Sequence, residues 1–456
     1  MTGIRKTLKP DWSRGVDIAP VVVFRIIFGL LGAFSAVRFM FYGWVERLYI
    51  TPSFHFHYQG FHWISTLPGK WMYLPFILMV AAGIAIAFGY LYRVAAVLFF
   101  LTFSYVELLD KANYLNHYYF VSIISFLLIW IPAHRAWSLD SRRNPNLKSA
   151  TVAYWCLWIL RFQLTLVYCF AGLAKINSDW LLEAQPLRIW LQTYRDLPIV
   201  GNYLAEKWVA YLFSWFGCIY DLLIPFFLMS SRTRKPAYLI VIVFHVLTWA
   251  LFPIGVFPWV MIGSTLIFFP ASFHKKILSV IPGNTPSLHV ARKKFFISPV
   301  KKALLVLFIV IQLVIPMRYV LYRGNLFWYE EGFRFSWRVM LMEKKGITTF
   351  YVVNPKDRSS IEIKNSDYLT DGQIDQMSRQ PDMILEFAHF LGEKFQDTIF
   401  HFDKKTVHLQ NPRIEAEGFV TLNGRTNSMY VSRKHDLMKI DPYTSYKYWI
   451  EPPKSK

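Results

Sequence analysis

The chain has 456 residues, of which 54% are hydrophobic, 18% aromatic and 17% charged, against about 25% charged in an ordinary soluble domain. The net charge of +21 would fit a nucleic-acid binder if it lay on a soluble surface, but it sits on the apolar part: residues 1–319 hold 30 basic and 11 acidic side chains, residues 320–456 hold 20 and 18. Basic loops between apolar runs are the mark of a membrane protein, so composition excludes a soluble globular chain and argues against a nucleic-acid partner.

A basic lead, residues 1–18, precedes an apolar run at 19–41. Further runs follow it, so it reads as a signal anchor rather than a cleaved signal peptide. The others lie at 71–91, 93–109, 117–132, 150–174, 208–229, 236–252, 256–270 and 303–319. They predict nine helices able to cross about 30 Å of hydrocarbon. With the N-terminus cytoplasmic, nineteen Lys and Arg fall in inner segments and seven in the short outer loops, the bias expected when positive charge resists translocation. The expected fold is thus an α-helical multi-pass membrane bundle, residues 1–319, followed by a small extracytoplasmic α/β domain, residues 320–456. Three cysteines, all inside apolar runs, and no Asn-x-Ser/Thr sequon point to a bacterial inner membrane, with the last part periplasmic.

In that last part, 348–353 and 361–363 alternate like strands, 371–395 has helical spacing, and 420–431 encloses Asn423-Gly424, a hairpin signal. The basic stretch 276–302 reads as a solvated loop beside anionic membrane lipid.

Ionisable groups at membrane depth are functional candidates. Arg25 and Arg38 lie near the two ends of the first helix, where snorkelling to the headgroups explains them. Asp221 and His245 are expected to be satisfied by neighbouring helices. In the fifth helix Arg161, Thr165, Tyr168, Gly172 and Lys175 share one face. Arg161 and Lys175 are about 21 Å apart along the axis, too far for one small site. Lys175, at the outer end, has two readings. An amine in apolar surroundings favours its neutral form and becomes a base; alternatively it reaches the headgroups or pairs with Asp179 at i+4. A second polar cluster, Glu107, Asp110, Lys111, Asn113, Asn116 and His117, maps to the same outer level. Glu107 and Lys111 have the favourable i, i+4 order, whereas Asn116 and His117 open an apolar run and aim polar groups into the bundle. The two clusters are placed where they would share a site.

Nucleophile-elbow, P-loop, dinucleotide-binding and zincin motifs are absent from the sequence. His55, His57 and His62 are metal-ligand types with no carboxylate or cysteine beside them in the chain, among Phe54, Phe56, Tyr58, Phe61 and Trp63. An aromatic interfacial loop is the preferred reading, and no metal is predicted.

Four stretches, in order, resemble the vitamin K-dependent γ-carboxylase family, whose membrane part is called the HTTM domain. They are Leu108-Leu109-Asp110-Lys111 with Asn116-His117-Tyr118-Tyr119; Ala171-Gly172-Leu173-Ala174-Lys175-Ile176 with Asp179-Trp180; residues 328–340, which include Trp328, Arg334, Trp337 and Arg338; and Leu422-Asn423-Gly424-Arg425. The resemblance implies Lys175 as the base that deprotonates reduced vitamin K, phylloquinol or menaquinol, with Asn116 and His117 supporting the quinone oxygens. It further implies O2 addition, an epoxide product, proton removal from a glutamyl γ-carbon and capture of CO2. Tyr168, Asp179, Trp180, Trp328, Arg334, Trp337 and Arg338 are the expected quinol- and substrate-binding residues. The expected partners are a naphthoquinol, a glutamate-containing exported peptide or protein, and membrane lipids. The chain departs from vertebrate members in having Ala174 before Lys175 where they carry two lysines, a shorter outer part, and no cysteine outside the helices. Two other readings remain open: a quinol epoxidase or oxygenase without carboxylation, and a non-catalytic quinone- or lipid-binding protein.

Overall fold

In a computed structural model, residues 11–280, 294–402 and 405–453 are described. Arg5, Lys6, Lys9, Arg292 and Lys293 of the predicted inner charge lie outside them.

Each predicted run contains a helix: α1 (Ala19–Phe41), α2 (Leu74–Phe88), α3 (Tyr92–Leu109), α4 (Asn116–Trp130), α5 (Tyr154–Ala174), α6 (Lys207–Met229), α7 (Arg234–Leu251), α8 (Phe257–Thr265) and α9 (Pro299–Met317). Among the described residues seven are long and apolar enough to span a membrane, counting the 3-10 extensions of α2 and α9. The shorter α4 has 15 residues, and α8 with its extension to Phe268 turns by 119° into Ala271–Leu278. Pro270 explains the turn: it forces Phe269 into an extended conformation, so the helix cannot run on.

Helices α1 and α2 cross at glycine. A Cβ on Gly29 would lie 2.5 Å from the carbonyl oxygen of Gly83, the backbone-to-backbone approach that small residues permit where lipid offers no hydrophobic driving force. At the inner end, β1 (Gly15–Asp17) pairs antiparallel with β2 (Thr151–Ala153). Arg25 is fully buried there and donates to the carbonyls of Ala133, Ala87 and Trp137. The snorkelling expectation for Arg25 is therefore replaced: the free carbonyls at helix ends and in the connection after α4 solvate the guanidinium in place of water.

The C-terminal part holds a four-stranded antiparallel sheet in the order β4-β3-β7-β8, from β3 (Lys344–Val353), β4 (Ser360–Ile363), β7 (Arg413–Leu422) and β8 (Ser428–Val431), beside a separate hairpin of β5 (Thr398–Phe402) and β6 (Lys405–Leu409). The turn between β7 and β8 begins at Asn423 and Gly424, both with positive φ, as the sequence predicted. The predicted single helix is two, α10 (Asp371–Met377) and α11 (Pro381–Lys394). Pro381 both starts α11 and forbids α10 to continue. Phe350, Ile414, Ala416 and Val420 from the sheet meet Ile384, Phe387 and Leu391 of α11 in one core.

The two parts interlock. Phe56, from the outer loop between α1 and α2, is fully buried in the C-terminal core against Phe387, and its carbonyl accepts the N–H of Lys111.

Candidate active site

Between the outer ends of the helices and the C-terminal part lies a cavity of about 650 Å3. Asn116 and His117, Arg334 and Arg338, and also Arg38, Lys111, Glu330 and Arg379 line it. Cationic side chains outnumber acidic ones in that wall, so the cavity favours an anionic guest. At His117, Tyr118, Val256 and Phe257 it meets an apolar crevice of about 70 Å3 between α1, α3, α4 and α8, with Glu107 in its wall.

Local structure sets each group. Asn116 is the first residue of α4; its Nδ2 donates to the carbonyl of Arg338 at 2.9 Å and its Oδ1 accepts from Tyr114 Oη at 3.0 Å. Tyr114 Oη in turn accepts the N–H of Phe335. The start of α4 and the 328–340 segment are thus tied by hydrogen bonds. His117 stacks on Phe257 at 5.1 Å, and its ring nitrogens have no hydrogen-bond partner among the described residues. A half-buried imidazole without a protein partner at the junction of two cavities is available to a ligand oxygen.

Lys111 does not pair with Glu107. Its ammonium lies 2.8 Å from Asp382 and 2.7 Å from Glu386, both on α11, and Asp382 also accepts from Arg334 Nη1 at 2.7 Å. Burial raises the proton affinity of Asp382, but Arg334 and Lys111 together overcome it and hold the carboxyl below its usual range. Asp110 differs: burial raises its pKa to about 7, although Ala112, Gln373 and Phe56 all donate to it.

Arg334, engaged with Asp382 and Gln380, is a structural strut. Arg338 is the free one. It is 8% exposed, stacks over Tyr319 at 4.2 Å, has no carboxylate partner among the described residues, and lines both the main cavity and a second of about 350 Å3. Trp328 and Trp337 line neither. Trp328 packs on Tyr430 in the C-terminal core and donates to the carbonyl of Glu451; Trp337 stacks on Tyr119.

Lys175 caps the outer end of α5 and is 7% exposed. Its amine lies 2.6 Å from Asp221 Oδ2 on α6 and 5.4 Å from the ring centroid of Trp180. The expected alternative partner is otherwise occupied, because Asp179 accepts from Arg425 and from Asn423 Nδ2, a clamp from the β7–β8 turn onto the membrane part. Trp180 donates to the carbonyl of Ser214. Tyr168 meets His245 at 3.1 Å deeper in the bundle. The shared face of α5 does point inward, since Arg161 also bonds the carbonyls of Ile267 and Phe268.

The two polar clusters therefore reach the same level without meeting directly. Lys175 is absent from the walls of these cavities, whereas its neighbours Ala174 and Ile176 line the smaller one, whose wall shares Arg338 with the His117 cavity. Asp221, Asp382 and Glu386 are the important partners that sequence reasoning did not assign. Only Asp221 carried a signal, as an acid inside an apolar helix.

The volume of about 650 Å3 lies within the range of small-molecule sites, and the crevice beside His117 is apolar where a lipid-soluble tail needs it to be. A reduced naphthoquinone fits these groups. The chain matches the HTTM domain over residues 13–273 and the family described as vitamin K-dependent gamma-carboxylase, lumenal domain, over residues 297–456. No solved structure matches it. Two matches that follow one another along the chain, on a multi-pass bundle with a small sheet domain after it, place this protein in the vitamin K-dependent γ-carboxylase family.

Proposed function

We propose that the protein is a vitamin K hydroquinone-dependent γ-glutamyl carboxylase and epoxidase, with its N-terminus cytoplasmic and residues 320–456 in the periplasm or its equivalent. The observation that carries the reading is the outer cavity, in which an imidazole and a guanidinium face one space: His117, without a protein partner among the described residues, and Arg338, without a carboxylate among them.

His117 and Asn116 would hold the quinol oxygens, with Phe257 and Tyr118 against the ring and the crevice below for the tail. When bound, the reduced quinone supplies, with O2, the strong base that an amine cannot be. Arg338 would pair with the glutamyl carboxylate, a charge-assisted contact suited to guanidinium geometry. Lys175 and Asp221 form the proton acceptor: once the ammonium has released its proton to solvent, the neutral amine takes the quinol proton, and the carboxylate at 2.6 Å holds the resulting charge.

The test supplies purified protein with menaquinol or phylloquinol, O2, labelled bicarbonate and a Glu-rich peptide, alongside Lys175→Ala and His117→Ala. Label in the peptide that disappears in both variants supports the proposal. Epoxide without label makes the protein a quinol oxygenase, and quinone binding without either product makes it a non-catalytic quinone- or lipid-binding protein. Full epoxidation by Lys175→Ala overturns the assigned base.

A further inference from the structure

The outer loop between α1 and α2 carries His57 and His62, with no carboxylate nearby in sequence. The fold supplies one from 324 residues further along the chain. Glu386 of α11 turns its Oε1 to the loop, where it accepts the backbone N–H of His57 at 2.7 Å and lies 3.4 Å from His57 Nδ1. The rings of His57 and His62 are 5.6 Å apart, and one ligand atom from each of His57, His62 and Glu386 falls within 4.8 Å of the other two.

Two imidazole nitrogens and a carboxylate oxygen are a donor set that zinc takes, at about 2.0–2.2 Å, with a fourth position left to water. Neighbouring corners of such a tetrahedron stand about 3.3 Å apart. The His57–Glu386 pair is already at that spacing. His62 is exposed, so its side chain can rotate to close the remaining gap without moving the backbone. Oε1 has two lone pairs and spends one on the His57 N–H. Lys111 holds the other oxygen, Oε2, at 2.7 Å, which fixes the carboxylate plane as outer partners of metal ligands do.

We infer that His57, His62 and Glu386 form a site for a borderline divalent cation of the zinc class, clamping the first outer loop to α11. The site lies outside the His117 cavity, whose walls contain none of the three, and it does not depend on the carboxylase reading. The competing account is a protonated His57 paired with Glu386 and no ion.

The experiment uses full-length, tag-free protein in detergent, stripped with chelator and titrated with Zn2+ and with Co2+ as a spectroscopic probe. Wild type is expected to bind one equivalent, to give the visible bands of four-coordinate Co2+, and to melt at a higher temperature with Zn2+. His62→Ala should bind about tenfold or more weakly and lose the Zn2+-dependent rise, while its metal-free melting temperature stays that of wild type, because the side chain is exposed. His57→Gln provides a second variant with the same expectation for binding. Equal binding by wild type and both variants, or no stoichiometric binding by wild type below millimolar ion, overturns the proposal.

Discussion

Two lysines close membrane helices at the outer face, and they are held differently. Lys111, just after α3, is gripped by two carboxylates of α11, one of which also carries Arg334. Lys175, at the end of α5, has among the described residues a single acidic partner, Asp221, from a neighbouring membrane helix, with the Trp180 ring beside its amine. A cation locked by several anions in a buried network is fixed in position and charge, while one with a single partner has another place to go. The comparison makes Lys111 a part of the architecture and supports the proposal of proton transfer for Lys175.

The largest effect that would break this contrast is on activity. Lys175→Ala is expected to lower quinol epoxidation by about 10²–10⁴, the range for a general base, with quinone binding retained; a turnover assay beside a binding titration checks it. Lys111→Ala should do the reverse, leaving half-buried Asp382 and Glu386 short of a partner at a cost of about 1.5–3 kcal/mol, read as a lower unfolding temperature. Asp221→Asn sharpens the comparison by stranding the ammonium of Lys175; it should lose both stability and epoxidation. A smaller change is expected for Arg338→Ala. Losing one charged hydrogen-bonding partner, worth about 1.5–3 kcal/mol, should raise KM for a glutamyl peptide roughly tenfold or more while epoxidation continues.

A last test is a slope with pH at the Lys111 end. Burial lifts Asp110 from 3.8 to about 7, so the folded state holds a proton that the unfolded state has released. Its contribution is complete below about pH 4 and is lost as pH rises through about 7. Asp382 runs the other way, its stabilisation being present above its unfolded value and lost as pH falls below it. The melting temperature of Asp110→Asn minus that of wild type should therefore increase from pH 4 to pH 7.

The helices were legible because lipid imposes long apolar runs on any chain that crosses it, and the inward face of α5 because a polar stripe cannot face hydrocarbon. Asn423-Gly424 marked its hairpin because few other residues tolerate positive φ at both positions. The partners were not legible. Nothing near Lys111 in the chain points to α11, and Arg25 was misread because its solvating carbonyls come from the end of α2 and the connection after α4, both distant in the chain. The 328–340 segment shows the same limit: its residues carried one expectation, yet Trp328 and Trp337 went to packing, while Arg334 and Arg338 both reach the cavity, Arg334 tied there to Asp382, in a stretch with four non-glycine residues at positive φ, Glu330, Phe335, Trp337 and Met340.

Phe56 has a bearing on how this molecule is made. The ring that completes the C-terminal core is synthesised nearly three hundred residues before the strands that enclose it. The outer part cannot mature until the first hairpin of helices is seated in the bilayer and waiting, and a soluble fragment cut after α9 would carry an open greasy hollow in place of a finished centre. Quality control of insertion and of export are thus joined in one aromatic side chain.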